Sequence, residues 1–159
     1  MMVQTRQLEF STRGDGDIHD LTPAVTRTLE ESGVRDGLVC LFTPSSTSGL
    51  TTIEFEDGAL EDLRQAFHRL APADIEYRHN LRWGDGNGHA HVRAALLGPS
   101  LSLPVVDGQI CLGTWQQIVF VDFDVRPRRR TVVVQIIGET AEAAGSPPPS
   151  GPRRGKKTP

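Results

Sequence analysis

The stretch from Tyr77 to Arg93, YRHNLRWGDGNGHAHVR, gathers three of the chain's five histidines, His79, His89 and His91, with Asp85, Asn87 and three glycines. In an extended segment, side chains two apart project to the same side, so His89 and His91 can reach one ion. His79 can fold back to them across the glycine-rich loop. Three neutral imidazoles and a water suit zinc or another transition metal, and Glu54 or Asp85 can add a carboxylate. In a helix the two histidines diverge by about 200° and do not share an ion easily. They are then polar residues making ordinary hydrogen bonds, and both alternatives stand.

Gly84-Asp85-Gly86-Asn87-Gly88 permits positive φ and close approach of a ligand to main-chain N–H groups. A helix beginning near His89 strengthens such an anion site, and Arg93, one turn in, adds a charge-assisted contact to a phosphate or carboxylate. The glycine spacing fits neither a dinucleotide fingerprint nor a Walker loop. A tight turn between two elements explains the same residues. Ser45, Ser46 and Thr47 follow an apolar run and offer hydroxyls to an oxyanion, or form an ordinary turn. Trp115, in Gly113-Thr114-Trp115-Gln116, either fills an interface or walls a pocket for a ring. Arg126 to Arg130 reads as a basic patch or as a solvated hairpin turn.

The elements that must position these residues follow from periodicity and punctuation. Strands are expected over residues 3–11, 37–42, 50–55, 75–79, 101–106, 109–112, 116–123 and 130–137. Helices are expected after Thr22 as cap with Pro23 in the first turn, over 59–70, and over 91–97. Asp107-Gly108 predicts a tight hairpin. The uneven distribution of helices and strands indicates an α+β sandwich and not an alternating parallel fold.

A chain of 159 residues is long enough for one domain with its own core. Residues 1–140 form that domain. The remainder, 141–159, is Pro/Gly-rich, with every charge after Gly145 positive, and is expected to be disordered. Without the four basic tail residues the chain holds 13 basic and 20 acidic ones, an acidic body that argues against nucleic-acid binding. Cys40 and Cys111 sit in apolar runs and are expected as small core residues in a reducing compartment. No apolar run approaches a membrane span and the start lacks a signal-peptide core, so a cytoplasmic location is expected.

The blocks FTPSSTSGLTTIEFEDG, YRH, DGNGHAHVRAALLGPSLSLPV and GTWQQIVFVDFD, in that order, resemble the YjbQ-like family of small bacterial and archaeal proteins over roughly residues 3–139. The resemblance implies a β-sandwich-like α+β subunit, with mixed sheets and two to three helices, that assembles into a homotrimer. It also implies a secondary thiamine-phosphate synthase activity. The matching positions make His79, Asp85, Asn87, His89, His91 and Arg93 a polar cluster; joined to the residue readings above, this gives His79, His89 and His91 as the expected ligands of a divalent metal, zinc or magnesium. Glu54, Asp85 and Arg93 are the catalytic groups. Ser45, Ser46, Thr47, Gly86, Asn87, Gly88, Ser100, Thr114, Trp115 and Gln116 bind a phosphorylated or heterocyclic metabolite. One departure stands out: Ser45-Ser46-Thr47 replaces a His-Thr-Thr run found in many members. The resulting expectation is a small-molecule transferase, with a non-catalytic trimeric binding module as the alternative.

Overall fold

A computed structural model describes residues 1–141; the basic tail read from the sequence lies outside the described residues. In chain order the elements are β1 (Met2–Thr12), β2 (Asp17–Asp20), α1 (Thr22–Ser32), β3 (Val34–Phe42), β4 (Ser48–Ile53), α2 (Asp57–Leu70), α3 (Arg78–Trp83), α4 (Gly88–Leu97), β5 (Ser100–Val106), β6 (Gln109–Ile110), β7 (Gln117–Asp122) and β8 (Arg128–Thr140). The α+β class holds. The expected mixed sheets are instead two antiparallel ones, ordered β1-β8-β3-β5-β6 and β2-β7-β4, and the expected two to three helices are four among the described residues.

The strand β7 shows why the two sheets pack. Its run Ile118-Val119-Phe120-Val121 is apolar on both sides because both faces of the three-stranded sheet are covered. Ile118 and Phe120 join the inner face of the large sheet, including Val39, Leu41, Val134 and Ile136, with Val25 and Leu29 of α1. Val119 and Val121, with Phe123, face the helices α2 and α4 through Leu60, Phe67, Ala90 and Ala94. A continuous apolar run is what a strand buried on both faces requires.

The outer face of the five-stranded sheet is different. Its cross-strand rows Val3–Ile137–Leu38–Pro104, Thr5–Gln135–Cys40–Ser102 and Gln7–Val133–Phe42–Ser100 carry no charged side chain. Cys40 lies half-buried on this face and Cys111 is exposed, so neither is the core cysteine that its apolar neighbours predicted.

Several local expectations shift. The predicted strand over 75–79 does not form: Arg78–Trp83 is helical, and Gly84 closes α3 in the left-handed region. The strand β2 appears where only a turn was expected, because Asp17–Asp20 pairs with Asp122–Val119 of β7. Thr22 does not cap α1. Its hydroxyl accepts the Ile118 N–H at 2.8 Å, and the Asp20 carboxylate accepts the Thr22 N–H. Glu56 caps α2 by accepting from Gly58 and Ala59, which extends that helix upstream. The Asp107-Gly108 hairpin forms as predicted, with φ of 52° and 77°.

Candidate functional site

The β7–β8 connection leaves one sheet and enters the other, and two buried carboxylates, Asp122 and Asp124, lie there. Asp122, at the end of β7, is 0% exposed. It receives Arg130 Nε at 2.6 Å and Nη2 at 2.7 Å, a two-pronged pair joining the two sheets. The Thr12 hydroxyl and the Asp124 N–H also donate to Asp122. Arg130 then reaches outward, with Nη1 donating to Ser45 Oγ and Nη2 to Thr47 Oγ1, each at 2.9 Å. Arg128 Nε donates to Asp124 at 2.7 Å. Burial pushes the Asp124 carboxyl up, but bonds from Arg128 and the Val125 N–H and the nearby arginine charges hold it below its ordinary value.

This cluster floors an open cleft of about 720 Å³. One wall is the Ser45-Ser46-Thr47 turn with Arg128, Arg129 and Arg130; the other holds His79, Asp85, Asn87, His91 and Trp83. His79 Nε2 lies 3.3 Å from Asp85 Oδ2, and the His79 and His91 rings are 4.4 Å apart. The network turns the Asn87 amide nitrogen toward Asp85, donating to Oδ1 at 3.1 Å.

The sequence-predicted residues therefore separate into three groups. His79, Asp85, Asn87, His91, Ser45, Ser46 and Thr47 come together in the cleft. His89 and Arg93 do not. The helix α4 begins at Gly88, so His89 and His91 point in different directions. His89 is 4% exposed beside Tyr77, with its Nδ1 unpartnered, and burial with the Arg93 charge lowers its pKa. Arg93 is 2% exposed; its Nε donates to the Ala71 carbonyl at 2.9 Å and its Nη2 meets His68 Nδ1 at 3.2 Å. It braces α4 against the end of α2 and reaches no cleft ligand.

Glu54, Thr114, Trp115 and Gln116 form a third group at the opposite end of the three-stranded sheet. Gln116 Nε2 donates to Thr52 Oγ1 at 2.8 Å, Glu54 is exposed and Trp115 is 71% exposed. Ser100 is exposed at the start of β5, opposite Phe42. The glycines take two roles, and Gly84 and Gly86 have the positive φ that the run predicted. Gly88 sits in α4 because a Cβ there would stand 2.5 Å from Tyr77 Cβ, and its N–H donates to Asn80 Oδ1. Gly86 turns the chain at φ +71°.

The zinc or magnesium centre expected on His79, His89 and His91 is not assembled. Among the described residues no three His, Cys, Asp or Glu side chains converge on an ion position. The donor set does not fit a three-imidazole ion.

The residues that sequence reasoning undervalued are Arg128 and Arg130. The signal was in β8: residues 128, 130, 132, 134 and 136 alternate on one side, and Val132, Val134 and Ile136 are core. Both arginines therefore face inward, as the 11% exposure of the Arg130 side chain shows.

An antiparallel α+β sandwich with a hydroxyl–arginine and imidazole–carboxylate cleft defines the class of protein. The chain belongs to the family described as UPF0047 protein YjbQ-like, which it matches over residues 6–139. A UPF0047 protein of Methanothermobacter thermautotrophicus is 37% identical over 139 residues, covering 87% of this chain and 95% of the relative. The crystal structure of a YbjQ-like protein of unknown function from Sulfolobus solfataricus is similar at a TM-score of 0.83 and 32% identity, covering 87% of this chain and 99% of that one. A hypothetical protein from Aeropyrum pernix gives 0.80 and 33%, covering 86% and 99%.

Proposed function

We propose that the cleft binds a small phosphorylated metabolite. The phosphate lies against the Ser45-Ser46-Thr47 turn and Arg128–Arg130, and a heterocyclic remainder lies toward Trp83 and the imidazoles. One observation carries this reading: Arg130, fixed by buried Asp122, aims two hydroxyls into a cleft whose facing wall is an imidazole–carboxylate pair. Preorganised donors on one side stabilise a leaving diphosphate. On the other side Asp85 orients His79 to accept or return a proton. That arrangement supports a transferase in which diphosphate departs as a nucleophile attacks, the thiamine-phosphate synthase type of reaction that the family resemblance implies. No step is routed through a metal, because the histidines do not converge. Assembly as a homotrimer belongs to the same proposal, supported by the three cross-strand rows without charged side chains on the outer face of the five-stranded sheet.

Calorimetric titration with inorganic pyrophosphate tests the binding half. The wild-type chain is expected to bind, and Arg128→Ala to weaken binding at least tenfold; no binding by the wild type sinks the reading. Turnover of a pyrimidine diphosphate with a thiazole phosphate, followed by chromatography, tests the chemistry. His79→Ala should lose turnover while keeping pyrophosphate affinity. Binding without turnover in the wild type leaves the metabolite-binding module in its place.

A further inference from the structure

The imidazole–carboxylate pair of the cleft has a rival pairing built beside it. His79 Nε2 lies 3.3 Å from Asp85 Oδ2, with 34% and 42% of the two side chains exposed. Asp85 also lines a side chamber of about 210 Å³ that shares a wall with the cleft, together with Arg126 and Arg128. Arg128 is already bonded to Asp124, whereas Arg126 is exposed and enters no ion pair among the described residues. A carboxylate free to choose between a neutral imidazole and a guanidinium turns to the cation, with its full charge and forked donors. Something must therefore hold Asp85 on His79.

Asn87 is placed to do so. It is 8% exposed, and its amide nitrogen reaches Asp85 Oδ1 at 3.1 Å and Oδ2 at 3.2 Å. The left-handed turns at Gly84 and Gly86 bring Asp85 and Asn87, two residues apart, onto the same wall of the cleft. Asn87 stands at the N-cap of α4, where an Asn side chain ordinarily accepts a helix N–H. It makes no such bond. The Gly88 N–H, first in the helix, goes instead to Asn80 Oδ1 at 2.8 Å. A residue of α3 thus serves the helix end, and the Asn87 amide is left for Asp85.

We infer that Asn87 is the positioning residue of this pair: it holds Asp85 on His79 and away from Arg126. The proton of the neutral imidazole is thereby fixed on Nε2, and Nδ1 is the nitrogen that takes the proton of the attacking nucleophile. This rests on the cleft being the ligand site. The Asn87 nitrogen also stands 3.1 Å from His79 Nε2, and that nitrogen cannot donate to Asp85 and accept from Asn87 together. The carboxylate is the stronger acceptor for both donors, so both turn to it. The bond made by one ring nitrogen sets the state of the other. His79 then becomes an imidazolium with Asp85 as its counter-charge, and passes the proton to the departing diphosphate.

Long-range proton–nitrogen NMR of the isotope-labelled full chain at pH 8 reads the ring nitrogens without needing a ligand, with His79 assigned by its loss in His79→Gln. The wild type is expected to hold the proton on Nε2. In Asn87→Ala both nitrogens should move toward the values of an unrestrained imidazole, and a crystal structure of that variant should show Asp85 turned to Arg126. Asn87→Ala/Arg126→Ala should return the wild-type signals, and Arg126→Ala alone should leave them in place. Asn87→Asp, equal in shape and as fit to begin a helix, carries the same measurement if the alanine variant does not fold. A role confined to the helix end would lower Tm without moving the ring signals. In the turnover assay Asn87→Ala should lower kcat about tenfold or more with little change in KM. A wild-type proton on Nδ1, unmoved nitrogens in Asn87→Ala, or no recovery in the double variant overturns the inference. Pyrophosphate titration keeps the two ideas apart. The expected ring signals without pyrophosphate binding remove the functional reading and leave the positioning, and binding with the proton on Nδ1 does the reverse.

Discussion

Removing the Arg130 side chain is the sharpest perturbation of the cleft. Arg130→Met strips two charge-assisted bonds, at 2.6 and 2.7 Å, from an Asp122 that is 0% exposed. Breaking a buried pair by deleting one partner costs about 3–5 kcal/mol. Asp122 keeps the Thr12 hydroxyl and the Asp124 N–H as donors, which places the expected loss near ~3 kcal/mol. For a chain of this size that lowers Tm by roughly 6–12 °C. The double variant Arg130→Met/Asp122→Asn removes the orphaned charge and should recover part of the loss, while pyrophosphate binding stays weak because Ser45 and Thr47 have lost their anchor. Calorimetric unfolding and titration read both quantities. A single-variant cost below about 1 kcal/mol, typical of an exposed pair, refutes the claim that this ion pair holds the cleft. So does a double variant as unstable as the sum of its parts.

Other outcomes follow from the same geometry. Burial and the Arg93 charge hold His89 below its ordinary pKa, so the unfolded chain binds more protons in mild acid; its contribution to stability is complete above about pH 6.5 and is lost as pH falls toward the depressed value. Besides Arg93, the charged or titratable groups acting on it are Asp15, His68 and Asp124. Urea midpoints at pH 7 and 5.5 should diverge in the wild type and draw together in His89→Gln; an unchanged gap contradicts the assignment. Gly88→Ala forces a Cβ to 2.5 Å from Tyr77 Cβ and should destabilise by about 1–3 kcal/mol, read as a lower Tm. Arg93→Met leaves the Ala71 carbonyl and His68 without their donor, so stability should fall by about 1–3 kcal/mol. Its pyrophosphate affinity should match the wild type, and a collapse of that affinity would return Arg93 to the site.

What the sequence disclosed was local. The hairpin at Asp107-Gly108 and the helices α1 and α2 are set by punctuation and apolar spacing within a few residues. The strand β7 announced itself by being apolar on both sides. What it hid depends on partners distant in the chain. Asp17–Asp20 has no strand signature of its own and becomes one by pairing with β7. The HAH pair looked like one ligand set because the start of α4 is decided by Asn80, which takes the Gly88 N–H from eight residues away. Seven of the site residues named from sequence share the cleft, because motif and family pattern both mark polar groups without packing roles. Arg130 was passed over as one of five residues in a basic turn, although its place in the alternation of β8 aims it inward.

The Asp122–Arg130 pair joins a strand of the small sheet to a strand of the large one, and the hydroxyls it presents hang from the loop between β3 and β4, again one strand from each sheet. The cleft consequently exists only while the two layers are docked. Any molecule held there is linked to the global folding equilibrium: at a hundredfold excess over Kd it adds about 2.7 kcal/mol to the stability of the whole chain. Heat resistance of the fold thus becomes a direct gauge of cleft occupancy, and a melting screen against phosphorylated compounds reads the identity of the ligand without an assay for its chemistry.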